Sequence, residues 1–442
     1  MPLVDYRPDL HERIVRDAEG VIRGRQSRRR TGVAAAGVAM LTVVVVAVVA
    51  LWPESETSVQ TFADGTQDST AVDAGPAPGM WAPIARSPLL ERNWPASGWT
   101  GKELLVFGGA GPTTDVCLRE AEYSVCGSPD RNDGAAYNPD TNQWRPLPAP
   151  PLPEERGSSV YGPTLAGVWT GREWIVWGGT KAKGAAYRPA TDSWRPIADG
   201  PLTKRTWFSM TWTGREVIVF GGGNPTESPP RLYDDGAAYN PATDRWRPIP
   251  RSGTGRFGHE ALWVDGQLIV VGGTDYETGE VGTADGYDPD TNTWRQLASP
   301  PFAPSTAVAD VAEPPMSYHP GRVYAFAGNK AASYDPAADR WATLADAPGQ
   351  DRPITTAVWT GAEVIALRTP PMHQPSADAS PAALDPKTNT WRTLPASSAT
   401  SRRGGAIAWT GTELLIWGGG KSGGLNSTTL TNDGARYRPP NR

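Results

Sequence analysis

Residues 134–148 read GAAYNPDTNQWRPLP. The stretch returns at 184–198 as GAAYRPATDSWRPIA and at 236–250 as GAAYNPATDRWRPIP. Looser copies hold 287–294, 334–341 and 384–391. Each is an aromatic or apolar residue, then a Pro, with a Trp seven positions after the first residue. A module that recurs every 45–70 residues or so marks a stacked repeat. One unit cannot bury its own apolar faces and must pack on its neighbours.

A second half of the module precedes each of these blocks. Residues 99–109 read WTGKELLVFGG, and relatives stand at 169–179, 212–222, 263–273 and 409–419. Degenerate copies at 319–329 and 359–369 bring the count to seven. Each reads as a strand end, a Thr-Gly or Asp-Gly type turn, and an alternating strand closing on Gly-Gly. The Tyr falls on a third strand, the Asn-Pro segment is a tight turn, and the Trp opens a fourth strand. Four antiparallel strands, seven times over, predict an all-β, seven-bladed β-propeller.

The apolar strand ending in Gly-Gly, then the Tyr, then the Trp, resembles the kelch repeat. The resemblance covers about four fifths of the chain and extends to the central domain of galactose oxidase-like proteins. At the ends the module is split. Residues 81–89, WAPIARSPL, match the tail WRPLPAPPL at 144–152, while the last copy runs through 434–439 and stops before any Trp. The two fragments complete one blade, so the N-terminal strand is expected to close the ring as the outer strand of the seventh blade. Removal of residues up to about Gly79 is expected to leave the ring intact.

The 442 residues carry a net charge of −5, which leaves no footprint for nucleic acid. Gly 49 and Pro 44 sit at repeated turns, and most of the Trp 19 occupy module positions. Residues 1–31 form a polar tail with Arg23, Arg25, Arg28, Arg29 and Arg30 close together. Residues 32–52 are apolar apart from Thr42, long enough to cross a bilayer as a helix. The arginines on one side, and Glu54, Glu56 and Asp64 on the other, predict a cytoplasmic N-terminus and an exported remainder. Its length favours a membrane anchor over a cleaved leader. Residues 53–79 read as a tether, and 80–442 as the propeller. The Ala-, Arg-, Gly- and Pro-rich, Lys-poor style suggests a bacterial source.

Turns within the module are short at the Thr-Gly and Asn-Pro sites, which share one face of an up-and-down blade. The connections after Gly-Gly and between blades lie on the other face and vary widely. Twenty-four residues separate Gly109 from Gly134, and four separate Gly179 from Gly184. Recognition is expected on that variable face. Its longest loop holds both cysteines, Cys117 and Cys126, and in an exported domain a local disulfide is the expected state. Seven residues before the module Trp stand Arg92, Arg205, Arg256, Arg352 and Arg402, with Gly162 and Ala312 in the remaining two blades. Two readings stand side by side. The arginines ring the channel mouth and bind an anionic group, as in kelch propellers that grip acidic peptides. Alternatively, each pairs with a carbonyl or carboxylate and supports its blade. Lys181, Lys183, Lys330 and Lys421 fall on the same face.

Enzymatic kelch proteins set a further comparison. The copper site of galactose oxidase-like proteins needs paired Tyr and His with a Tyr–Cys cross-link. The His 4 of this chain (His11, His259, His319, His373) show no such pairing. No metal and no cofactor is expected. A sialic-acid mutarotase-like isomerase would need His259 or Glu260, near Arg256, to face the channel mouth. The primary expectation is a non-catalytic module that binds a protein, peptide or anionic glycan, anchored in the membrane through 32–52.

Overall fold

The computed structural model describes residues 73, 75–112, 117–120, 123–126, 130–153, 162–227, 230–275, 279–302, 316–319, 321–349, 353–369, 380–424 and 427–440. The tail, the apolar run at 32–52 and most of the tether lie outside the described residues. Among the described residues no helix is long and apolar enough to cross a membrane.

Seven four-stranded antiparallel sheets follow one another along the chain. Blade one runs from Ala96–Trp99 at the inside through Leu104–Phe107 and Gly134–Asn138 to Gln143–Pro146 at the outside. The inner strands of blades two to seven are Leu165–Trp169, Ser209–Trp212, Glu260–Val264, Met316–His319, Ile354–Trp359 and Ala406–Trp409. The outer strand of blade seven is Trp81–Pro83, which pairs with Gly434–Tyr437, Trp81 opposite Tyr437 and Pro83 opposite Ala435. The ring is therefore closed by its N-terminal strand, as the split module requires, and no terminal blade edge is left open.

The second strand of each blade is buried on both faces, because a neighbouring blade covers each side. Leu104–Phe107, Val217–Phe220 and Leu414–Trp417 are buried throughout. This is why these strands read as continuous apolar runs and not as alternating ones. Between blades seven and one, Leu415 and Trp417 pack on Leu104, Val106 and Tyr137. Each such side chain contributes about 1.5–3 kcal/mol on burial.

The quoted module is a linked set of hydrogen bonds. Tyr137 Oη donates to Asn142 Oδ1 at 2.7 Å, and Tyr187–Asp192, Tyr239–Asp244, Tyr287–Asn292 and Tyr334–Asp339 repeat the bond at 2.5, 2.7, 2.8 and 2.6 Å. The accepting residue holds a left-handed backbone, with φ of 51° at Asn142 and 52° at Asp244, which Asn and Asp tolerate best among residues with a Cβ. Two residues on, the Trp points back to the preceding blade. Trp144, Trp194, Trp246, Trp294, Trp341 and Trp391 each donate Nε1–H to a carbonyl there, at Ala85, Pro148, Ala198, Pro250, Ala298 and Ala345. Trp81 closes the set on Pro395 at 2.8 Å. The indole buries its body and satisfies its one donor in the same contact.

The boundary of the ring lies earlier than its last strand suggests. Asp73 accepts from Arg436 Nη2 at 2.6 Å, its N–H donates to Asp140 O, and Gly79 N–H donates to Arg438 O at 2.7 Å. The reason lies in strand one. It carries Ala82 where the outer strands of blades one to three carry Arg145, Arg195 and Arg247, and the blade's charge comes from Arg436 on the neighbouring strand and Arg438 just after it. Asp73 neutralises that displaced charge, so the segment before Gly79 is part of the fold.

Candidate functional site

On one face the turns are alike. In each Thr-Gly turn the Thr hydroxyl accepts the N–H of a Glu three residues on, as in Thr100–Glu103, Thr170–Glu173 and Thr213–Glu216. The opposite face is uneven. There the second and third strands of four blades continue into two-stranded ribbons. They are Cys117–Glu120 with Tyr123–Cys126 in blade one, and Gly223–Asn224 with Arg231–Leu232 in blade three. Blade four has Thr274–Asp275 with Gly279–Glu280, and blade seven has Gly420–Gly424 with Ser427–Leu430. Blade two turns back within 179–182, Gly178 pairing with Lys183. Blade five turns at Gly328 and Asn329. In the blade-one ribbon the register sets Cys117 directly opposite Cys126.

The arginines do not ring the mouth as free donors. The side chains of Arg92, Arg205 and Arg256 are 0% exposed and that of Arg402 is 2%. Each crosses the end of its own blade. Arg92 donates to Leu90 O, Gly108 O and Asp133 O at 3.0, 3.1 and 3.2 Å and pairs with the Asp133 carboxylate at 2.9 Å. Arg205 repeats this on Thr203 O, Gly221 O and Asp235. Arg256 does so on Gly272 O, Thr283 and Asp285, and Arg402 on Ser398 O, Thr431 and Asp433. Burial lowers the pKa of Arg92, Arg205 and Arg256, and the facing carboxylates offset part of the shift. Their contacts are those of blade supports, the second of the two readings of these residues. Arg352 lies outside the described residues. Gly-Gly serves the same joint: Gly419 N–H donates to Arg92 O and Gly222 N–H to Arg256 O, in each case from the preceding blade. A Cβ on Gly109 would lie 2.6 Å from Asn93 O, so the close approach admits only glycine there.

Two of the lysines of this face are engaged in exposed contacts. Lys183 pairs with Asp199 and Lys330 with Asp346, both at 2.6 Å. His259 is buried, with Nε2 2.9 Å from Ser209 Oγ and its ring against Phe220. Burial, then the charge of Arg256, pushes its pKa down to about 3. It bridges to Ser209 of the preceding blade, so this one of the two residues named for an isomerase is engaged in an inter-blade contact. Glu260 opens the inner strand of blade four and is engaged within the fold. Among the described residues no three His, Cys, Asp or Glu side chains converge as a metal-binding set.

The rim of the channel on this face holds a feature that the sequence reading passed over. Trp94 of blade one and Trp207 of blade three lie edge to face with centroids 5.7 Å apart and an interplanar angle of 72°. Both are half-buried. Beside Trp94 lies a shallow depression with room for little more than a water molecule, lined by Asp130, Arg131, Pro163, Thr164 and Leu165.

Comparison with known proteins accords with this architecture. The family model described as the KLHDC2/KLHL20/DRC7 Kelch-repeats domain matches residues 96–328, more than half of the chain. A putative F-box/kelch-repeat protein of Arabidopsis thaliana is 29% identical over 120 residues, 27% of this chain. The chain spans 29% of the length of that relative.

Proposed function

The chain belongs to the kelch-repeat family, and on that premise we propose that its propeller is a non-catalytic binding module that takes a protein partner on the variable face. Kelch propellers generally act as scaffolds for protein interaction, and this ring has the rigidity that such a role needs. One observation carries the choice of face. Four ribbons project from one side of a ring whose other side repeats the same Thr-Gly and Asn-Pro turns. Recognition elements vary on a fixed scaffold, whereas turns that serve the scaffold repeat. Within this reading Cys117 and Cys126, opposite one another in the blade-one ribbon, form a cross-strand disulfide that stiffens it. Residues 32–52 anchor the module in a membrane and display it outside the cytoplasm, a reading that rests on the apolar run and its flanking charges.

A photo-crosslinking amino acid placed in turn at Arg231 and Thr429 on the ribbons, and at Lys102 and Arg215 on the opposite turns, tests the face. A discrete adduct from the ribbon positions alone is the expected result. Adducts from the turn positions alone, or none from either, would sink the proposal. Of the two residues named for an isomerase, His259 is engaged with Ser209.

A further inference from the structure

Every blade ends on an outer strand, which turns one edge to its own blade and the other to the outside of the ring. The register shows which main-chain groups face outward. Leu147 N–H donates to Gly134 O at 2.9 Å, and Ile84, Ile197, Leu344 and Leu394 repeat the bond in blades seven, two, five and six. Ile249 and Leu297 hold the same register in blades three and four. Antiparallel pairing alternates, so the residue before each of these points its N–H away from the blade. That residue is Pro83, Pro146, Pro196 or Pro248 in blades seven, one, two and three. Proline has no N–H, and on an edge it blocks the pairing of a further strand. Blades four, five and six carry Gln296, Thr343 and Thr393 there, all exposed. One contiguous arc of the ring thus keeps the outward donor that the other four blades lack.

Blade four stands apart from its two neighbours. Its outer strand, Thr293–Leu297, has five residues, against four in Arg340–Thr343 and four in Thr390–Thr393. Gln267 occupies the position of Glu103, Glu173, Glu216 and Glu363 in blades one, two, three and six. Those carboxylates hold the arginine of the outer strand, as Glu363 holds Arg392. Arg295 instead meets the Gln267 amide oxygen at 3.1 Å and Asp339 of the next blade at 3.5 Å. Its side chain is 49% exposed, against 33% for Arg247. Blade five carries Ala342 in place of the arginine. The edge of blade four therefore joins outward main-chain donors and acceptors to a cation whose own blade offers it an amide and no carboxylate at that position.

We propose that the outer edge of blade four, Thr293–Leu297, takes an extended acidic segment of a partner protein as a fifth strand. This site lies apart from the variable face and does not depend on it. Trp294 and Gln296 both turn N–H and C=O outward, the pattern that an added strand completes. A helix bonds its own main-chain groups internally and cannot complete that ladder. An Asp or Glu opposite Arg295 supplies the carboxylate that Gln267 does not. A second copy of this chain fits less well. The antiparallel register that engages Trp294 and Gln296 of both copies sets Arg295 opposite Arg295, and like charges directly opposite disfavour pairing.

The test uses eight-residue peptides of alternating Val and Thr with Glu, Ala or Lys at a central position. A fully N-methylated copy of the Glu peptide keeps its side chains and loses every main-chain donor. Each is titrated against the full chain and its Gln296→Pro and Arg295→Glu variants. Gln296→Pro installs the residue of four other blades at a position whose N–H points away from its own sheet. Expected are tighter binding of the Glu peptide than of the Lys peptide, and a loss of tenfold or more in Gln296→Pro at unchanged Tm. The N-methylated peptide should not bind, Arg295→Glu should reverse the charge preference, and the Trp294 and Gln296 amides should exchange more slowly with the Glu peptide bound. The proposal falls if no peptide binds, if binding survives N-methylation or Gln296→Pro, if the charge preference is unmoved in Arg295→Glu, or if those two amides gain no protection. Should Gln296→Pro melt lower, N-methylation and amide exchange still decide, since neither alters the chain. A dimer of the unliganded chain that Gln296→Pro dissolves would put a second copy on this edge and reject the partner strand. Cross-links from the ribbons test the variable face separately, so either reading can fail alone.

Discussion

Arg247 holds Glu216 with two parallel hydrogen bonds, Nε to Oε1 at 3.1 Å and Nη2 to Oε2 at 2.7 Å, while its Nη1 reaches Tyr287 Oη of the next blade at 3.1 Å. The same fork links Arg145 to Glu103 and Tyr187, and Arg195 to Glu173 and Tyr239. These side chains carry charge and position from blade to blade on the turn face. The Glu216 side chain is only 7% exposed, so Arg247→Ala leaves a carboxylate buried without its partner. We expect a loss of about 2–4 kcal/mol in chemical denaturation, below the value for a fully buried pair because the arginine is partly solvated. Arg247→Lys should recover less than half, since an ammonium cannot reproduce the fork. Equal stability of the lysine variant and the natural chain would refute this account.

Acid should weaken the ring through His259 before it reaches the carboxylates. The folded imidazole, buried and near Arg256, titrates at about 3, whereas the unfolded chain takes its proton near 6.5. The unfolded state therefore binds the extra proton between these values. The stability tied to neutral His259 is complete above pH 6.5 and falls by about 1.4 kcal/mol per pH unit until pH nears 3. Glu173 acts lower on the scale. Burial raises its pKa, but the hydrogen bonds and charges of Arg195 and Arg188 outweigh that and lower it overall. Its contribution is present above the usual carboxylate range and is lost below it. Denaturation curves from pH 7 to 4 should show the His259 slope, and His259→Gln should remove about one proton from it. An unchanged slope in that variant would show that the histidine is not the titrating group.

The blade count, the strand order and the ring closure were legible because their signals are local and repeated. Tyr137, Asn142 and Trp144 lie within one turn of chain, and each copy reinforces the last. What sequence could not show was the direction in which a side chain leaves a strand end. Arg92 was rightly placed at the start of an inner strand, but Gly108 O and Asp133 come from two other strands that meet it only in the fold. The ribbons escaped notice because pairs as short as Gly223–Asn224 with Arg231–Leu232 carry no periodicity. Trp94 and Trp207 were hidden among many structural tryptophans. Aligned on Arg92 and Arg205, they stand where Gly258 and Gly404 stand, and that mismatch was the available signal.

Asp73 should mark the working N-terminus of the ring. It neutralises Arg436, whose side chain is 3% exposed, and its pKa is lowered by the Gly75 N–H and then by Arg436, against a rise from burial. A chain that begins at residue 69 should melt like the full chain. One that begins at residue 80 should melt several degrees lower, although it keeps the whole of Trp81–Pro83. Asp73→Asn in the longer chain should reproduce part of that loss, about 1–2 kcal/mol. Identical melting of the two truncations would return the boundary to Gly79.

Arg256 separates the two roles set out for the arginines. Its guanidinium is fully buried and serves Gly272 O, Thr283 and Asp285, so Arg256→Ala strips three acceptors at once. The expected cost is about 3–5 kcal/mol, with Arg256→Lys recovering little, because one ammonium cannot span acceptors from two strands. Burial already raises the pKa of Asp285 and Arg256 holds it down, so loss of the arginine should raise it further. If the arginine is a blade support, any loss of partner binding in Arg256→Ala should track the loss of folded protein and vanish when binding is referred to the folded fraction. Binding lost from a variant with an undiminished Tm would instead assign the guanidinium to the ligand, and would require blade four to open its end when the partner docks.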